Sequence, residues 1–180
     1  MADTQRSKFS ELLQAQIRHE FTAAQQYVAL AVWFDARDLP RLAKRFYRQS
    51  IEERNHALAM VQYLLDRDQP VAIPGSGDVR NDFSSVHEAI ELALDQERAV
   101  TADIEAMAKA ARVEEDYLGE QFVAWFLKEQ VEEVAQMSTL LTVVERAADN
   151  LFEVENHLYR EAATGVEDAP DMPPVAGGKL

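Results

Sequence analysis

No cysteine occurs among the 180 residues, which removes disulfides, thiolate metal sites and thiol nucleophiles together. No apolar run approaches the roughly 18 residues that span a bilayer. The start, Met1 to Lys8, is polar and leads into no apolar signal core. Positive charge is short as well: 18 Lys and Arg stand against 32 Asp and Glu, a net charge of −14. That deficit argues against binding to a nucleic-acid backbone or an anionic membrane, since both need clustered cations. The charge does not signal disorder, because 47% of residues are hydrophobic and aromatics run throughout. The expectation is a soluble, cytoplasmic protein of one domain, with a large excess of acid to place.

Glycine and proline are also scarce, six of each, and their positions divide the chain. Gly165, Pro170, Pro173, Pro174, Gly177 and Gly178 fall at the C-terminal end, and Pro70, Pro74, Gly75 and Gly77 cluster centrally. Only Pro40 and Gly119 remain, so the intervening segments read as long uninterrupted helices. A first helix is predicted from about Ser7 to Ala36, and a second to about Arg67, with Asp38 as its cap and Pro40 in its first turn. The stretch from Asp68 to Phe83 is too long for a tight turn and must cross some distance. Ser85 and Glu88 form a capping-box pattern for a third helix ending near Arg112, and a fourth runs from about Glu114 to Ala148. Asn150 and Glu153 repeat the pattern for a short fifth helix to about Ala163. The fold class is all-α: a four-helix bundle with one long crossover and a short fifth C-terminal helix. Residues 1–163 form the domain, and 164–180 have the composition of a mobile tail.

Steps of three and four along each helix pick out the side that faces the bundle axis. Helix one gives Leu13, Ile17, Glu20, Ala24, Tyr27, Ala31 and Phe34; helix two gives Phe46, Ser50, Glu53, Ala57, Met60 and Leu64. Helix three gives Ile90, Leu94, Glu97, Thr101, Ile104 and Ala108; helix four gives Val123, Phe126, Gln130, Glu133, Met137, Leu140 and Val144. Each stripe is largely apolar and each carries a carboxylate near its middle. At ~1.5 Å per residue, Glu20 and Glu53 lie ~24 and ~21 Å from their shared turn, and Glu97 and Glu133 roughly 22 and 28 Å from theirs. Four helices therefore deliver acids to one level of one core. Buried carboxylates need protons, cationic partners or metal, and the stripes contain no Lys or Arg. Glu53-Arg54-Asn55-His56 adds an imidazole to the carboxylate on one face. Oxygen-rich ligation with one nitrogen suits iron or manganese better than zinc.

Four segments carry a family resemblance over residues 7–163: His19-Glu20-Phe21-Thr22-Ala23-Ala24-Gln25-Gln26-Tyr27, Glu52-Glu53-Arg54-Asn55-His56-Ala57, Asp95-Gln96-Glu97, and Trp125 through Glu133. In type, order and spacing they resemble the bacterial non-haem ferritins, within the ferritin-like diiron four-helix bundles. The resemblance implies that Glu20, Glu53 and His56 hold one iron, and that Glu53 bridges to a second held by Glu97 with Gln130 nearby. Glu52, Glu129, Glu132 and Glu133 resemble the acidic set of an additional iron site. Tyr27 matches a tyrosine beside the centre, although a core-filling role with a bonded hydroxyl is equally open. The implied activity is a ferroxidase that oxidises Fe(II) with dioxygen or peroxide and stores ferric oxyhydroxide inside a homo-oligomeric shell of twenty-four subunits.

Departures from relatives narrow the reading. Bacterioferritins and many diiron oxygenases carry a second E-x-x-H on the fourth helix, where this chain has Gln130 and Glu133 without His. The resemblance therefore implies a second iron held more weakly. Arg54 stands where bacterioferritin's haem-ligating Met follows the bridging Glu, so no haem is expected. Glu129 and Glu132 also fit a solvated helix face. Glu114, Glu115, Asp116 and Glu120 fit favourable charges near a helix N-terminus, with an entry channel as the alternative for Glu120. Pro173 to Leu180 fits a disordered end, or a docking peptide for an encapsulin shell as in some bacterial ferritins. A diiron oxygenase acting on an organic substrate and a non-catalytic acidic bundle are the other two classes the sequence leaves.

Overall fold

The computed structural model describes residues 7–148, 150–163 and 172–178. Five helices follow in order: α1 (Lys8–Asp35), α2 (Pro40–Asp66), α3 (Val86–Val113), α4 (Tyr117–Ala147) and α5 (Leu151–Ala163). Helices α1 and α2 form one tightly packed hairpin and α3 and α4 the other; α1 lies on α3, while α5 reaches back to both α2 and α4. Among the described residues, no helix is long and apolar enough to cross a membrane.

Several helix starts are secured from far away in sequence. Ser7 caps α1 by accepting from the Ser10 N–H, as its residue type favours. The free N–H groups of Lys8 and Phe9 donate to the two oxygens of Glu114, at 2.5 and 3.1 Å. The expected cap of α2 differs: Asp38 lies in the left-handed region at φ +56°, and Leu39 holds the N-cap position without a side-chain bond. The carboxylate of Glu155, on α5, accepts instead from the N–H groups of Arg41 and Leu42, at 2.9 and 3.0 Å. A carboxylate suits a helix N-terminus whichever element carries it. Ser85 caps α3 by accepting from the Glu88 N–H, but Glu88 returns to Ser84 rather than to Ser85. The fourth helix begins at Tyr117 rather than near Glu114, with Asp116 as its cap, and Glu120 pairs with Arg112.

The crossover between α2 and α3 is laced along α1. Gln14 exchanges two hydrogen bonds with the backbone of Ala72, Thr22 accepts from the Gly77 N–H, and Gln26 exchanges two with the backbone of Arg80. These side chains satisfy backbone groups that an irregular segment would otherwise leave to water.

Within the expected tail, residues 164–171 and 179–180 lie outside the described residues, as do Met1 to Arg6 of the expected domain. Residues 172–178 contact the bundle: Met172, Val175 and Ala176 pack on the lower core, and the Ala176 N–H donates to the Leu58 carbonyl at 3.2 Å. Three apolar side chains in this short segment supply the surface that such packing buries.

The core is divided. One apolar cluster, including Leu30, Phe34, Phe46, Ile90 and Leu140, fills the end near α5, and another, including Phe9, Leu13, Ile17, Met60, Ile104 and Val123, fills the opposite end. At that opposite end Gly119 sits in the first turn of α4, where an added Cβ would fall 2.8 Å from both Phe9 Cε1 and Asp116 Oδ2. Gly119→Ala should therefore overpack the site by about 1–3 kcal/mol, outweighing a helix-propensity gain of at most ~1 kcal/mol. A lowered thermal midpoint of the metal-free protein is expected; an unchanged or raised midpoint would show that Phe9 gives way freely.

Candidate metal centre

Between the two apolar clusters lies a buried polar layer: Gln16 and Glu20 from α1, Gln49, Glu53 and His56 from α2, Glu97 from α3, and Gln130 and Glu133 from α4. Glu20, Glu53 and His56 converge, each offering a ligand atom within 4.8 Å of the others. His56 Nδ1 lies 3.2 Å from Glu53 Oε2 and 3.9 Å from Glu20 Oε2. The i, i+3 spacing on α2 places the imidazole beside its own carboxylate, and the hairpin brings Glu20 to the same height.

The second half of the layer is built around Glu97. The Tyr27 hydroxyl donates to Glu97 Oε1, and Gln130 Nε2 lies 3.4 Å from Glu97 Oε2. Tyr27 is thus fully buried with its hydroxyl on a site carboxylate, which places it beside the centre. Glu133 accepts from Gln49 Nε2 at 2.7 Å, and the same nitrogen lies 3.2 Å from Glu53 Oε1. Gln16 Nε2 donates to Glu20 Oε1 at 2.9 Å. Trp125 packs its ring edge-to-face near His56, with centroids 5.6 Å apart.

The remaining acids lie farther out. Glu129 and Glu52 are half-buried and Glu132 is exposed, with Glu52 4.0 Å from Arg48. Glu129 is pushed above the ordinary carboxylate range by burial, with Glu132, Glu52 and Glu53 adding to the shift against the opposing pull of His56. Glu52 and Glu132 therefore both lie close enough to Glu129 to repel it, whereas Glu133 belongs to the buried layer.

Protonation follows from burial and mutual repulsion. Burial, then the neighbouring Glu53, raises Glu20 well above the usual range. Burial, with Glu53 and Glu133, does the same for Glu97. Glu133 is raised to about 8 by burial and Glu53. Glu53 is the exception: burial opposes its charge, but the His56 imidazolium and the bonds from His56 and Gln49 hold it below the ordinary value. Burial likewise opposes charge on His56, yet Glu53, Glu20 and Glu133 raise it to about 10. In the metal-free layer Glu53 and His56 thus form an ion pair, while Glu20, Glu97 and Glu133 are shifted toward their protonated forms.

Two features fit the layer to a metal ion. Glu20 Oε2 is buried without a hydrogen-bond partner of ordinary geometry and lies 3.9 Å from His56 Nδ1. The donor set of carboxylate oxygens with one imidazole nitrogen is that of iron or manganese.

Three members of this environment are absent from the candidates drawn from the sequence. Gln16 and Gln49 each stand one turn before a site carboxylate, and a polar residue at i−4 on a core face is the signal that would have found them. Gln49 is buried where the stripe predicted Ser50, because a step of three and then four from Phe46 replaces four and then three. Thr101 lies in the predicted stripe but carries a bond to Gln130 that its position alone did not show.

Acids and an imidazole buried at mid-height in four long helices define a carboxylate-rich bundle with a candidate metal site. A ferritin-like domain model matches residues 10–147. The chain is 57% identical to ferritin BfrB of Mycolicibacterium smegmatis over 97% of this chain and 96% of that protein. It is 34% identical to the bacterial non-heme ferritin of Staphylococcus aureus over 83% and 87% of the two chains. A solved open-pore ferritin from Archaeoglobus fulgidus aligns with a TM-score of 0.82 at 26% identity, covering 88% of this chain and 98% of that one. The chain belongs to the ferritin family.

Metal binding at neutral pH must displace protons from groups whose values are raised, Glu20, Glu97, Glu133 and His56. Affinity should therefore fall as pH falls, by about tenfold per pH unit for each proton displaced. Titration calorimetry in buffers of different ionisation enthalpy should show proton release between pH 6 and 8. A buffer-independent enthalpy would contradict the protonated metal-free layer.

Proposed function

We propose that this protein is an iron-storage ferritin that oxidises Fe(II) within the bundle and keeps the product as ferric oxyhydroxide inside a multi-subunit shell. The observation that carries this reading is the buried Glu20–Glu53–His56 cluster with its orphaned carboxylate oxygen. Family membership and the names of its relatives, a ferritin BfrB and a bacterial non-heme ferritin, support the storage role.

In this reading Glu20, Glu53 and His56 bind one Fe(II) as substrate. Glu53 is shared with a second, bound by Glu97 beside Gln130. Each pair gives up two electrons, which reduce dioxygen to peroxide, or peroxide to water, with protons taken from the medium. The carboxylates stabilise the higher charge of the product, and the protons that Glu20, Glu97, Glu133 and His56 release on loading balance the four positive charges of two Fe(II). Tyr27 fixes Glu97 through its hydroxyl, while Gln16 and Gln49 hold Glu20 and Glu53. Glu133, Glu129, Glu52 and Glu132 form a graded run of acids from the buried layer outward, suited to passing a trivalent cation onward. The unit that does this spans residues 1–163 and works in the cytoplasm as a shell of twenty-four copies without haem; an encapsulin that docks on the tail 164–180 has to engage a segment whose residues 172–178 lie against the bundle.

Glu53→Ala and His56→Ala should each remove the fast phase of aerobic Fe(II) oxidation while leaving a particle of several hundred kilodaltons. Stopped-flow absorbance and size-exclusion chromatography measure the two. Wild-type initial rates in both variants would reject the ferroxidase assignment, and a monomeric wild-type protein would reject the shell.

A further inference from the structure

Gln130 is buried at 3% exposure, so both ends of its side-chain amide need partners inside the core. One end faces Thr101 Oγ1 at 2.9 Å and the other faces Glu97 Oε2 at 3.4 Å. Thr101 Oγ1 also lies 2.8 Å from the backbone carbonyl of Glu97, one turn back on α3. A hydroxyl has one proton to donate and lone pairs with which to accept, whereas a carbonyl only accepts.

We infer that Thr101 is a positioning residue that lets the Gln130 amide present either its NH2 or its oxygen to the metal centre, according to whether the Glu97 site is loaded. When the Thr101 proton goes to Gln130 Oε1, Nε2 is turned to Glu97, which is the arrangement in the structure. The amide then steadies Glu97 through its N–H and offers no oxygen to a cation. When the proton goes instead to the Glu97 carbonyl, Oγ1 accepts from Nε2, and a half-turn of the amide brings Oε1 to the position beside Glu97. Every group on the Thr101 side is satisfied in both arrangements. Two oxygens facing each other across 3.4 Å need a proton or a cation between them, and once a cation has displaced the Glu97 proton the cation meets that need. Gln49 has no such freedom, since its NH2 faces carboxylates on both sides, Glu53 and Glu133. Rotation of one hydroxyl thus converts Gln130 from a donor in the metal-free layer into an oxygen ligand of the second metal.

The inference rests on the two-metal reading above, and the test separates them. Metal-free, assembled wild-type protein, Thr101→Val, Thr101→Ser and Glu97→Gln are titrated with Zn(II) as a redox-inert probe, by calorimetry, with circular dichroism as a check of the helices. Glu97→Gln identifies the binding step that belongs to the second site. Thr101→Val, which keeps the shape and loses the hydroxyl, should leave the first step unchanged and weaken that second step by about tenfold or more. Thr101→Ser should restore it. A second step in Thr101→Val at wild-type affinity overturns the inference, as does Thr101→Ser behaving like Thr101→Val, or equal weakening of both steps. If wild-type protein shows no step that depends on Glu97, the two-metal reading itself fails and the inference falls with it.

Discussion

The structure depends on how charge is neutralised where four helices bring acids into an apolar interior. An ionised carboxylate without compensation costs several kcal/mol there, and a like-charged neighbour raises the cost. The bundle meets this with one internal ion pair, Glu53 with His56, and by shifting Glu20, Glu97 and Glu133 toward their protonated forms. Under the proposed function, cations that take the place of those protons keep the same layer neutral.

That chemistry requires the four helices to hold their heights to within a fraction of a turn. Contacts outside the layer bear on that alignment. Glu114 takes the first N–H groups of α1, Glu155 takes those of α2, and the crossover is tied to α1 at Gln14, Thr22 and Gln26. The apolar clusters above and below the layer then clamp it. Around the ligands, the glutamine amides and the Tyr27 hydroxyl aim each carboxylate. Such outer partners are often as consequential for a metal site as the ligands.

Most of the fold was legible because its signals are periodic and local. Scarce Gly and Pro marked the breaks, and the five helices fall within a few residues of the expected bounds. The level of the acids followed from counting residues at a fixed rise. The failures were equally local in origin. Asp38 has the residue type of a cap but sits at a left-handed turn, and Glu155, over a hundred residues away, serves α2 instead. Ser50 and Gln49 are adjacent on a helix, and periodicity alone does not choose which of the two turns inward.

By itself, the sequence determined the class of fold, the mid-height acids and the Glu53–His56 pairing. Each of these depends on residue type at a helical spacing, which a linear chain carries in full. Only the tertiary structure decided which acids are pushed toward their protonated forms, that Glu133 lies in the buried layer while Glu132 faces out, and that Gln16, Gln49 and Thr101 hydrogen-bond to members of that layer. Those outcomes depend on desolvation and on distances between helices, which are properties of the packed bundle and of no single segment.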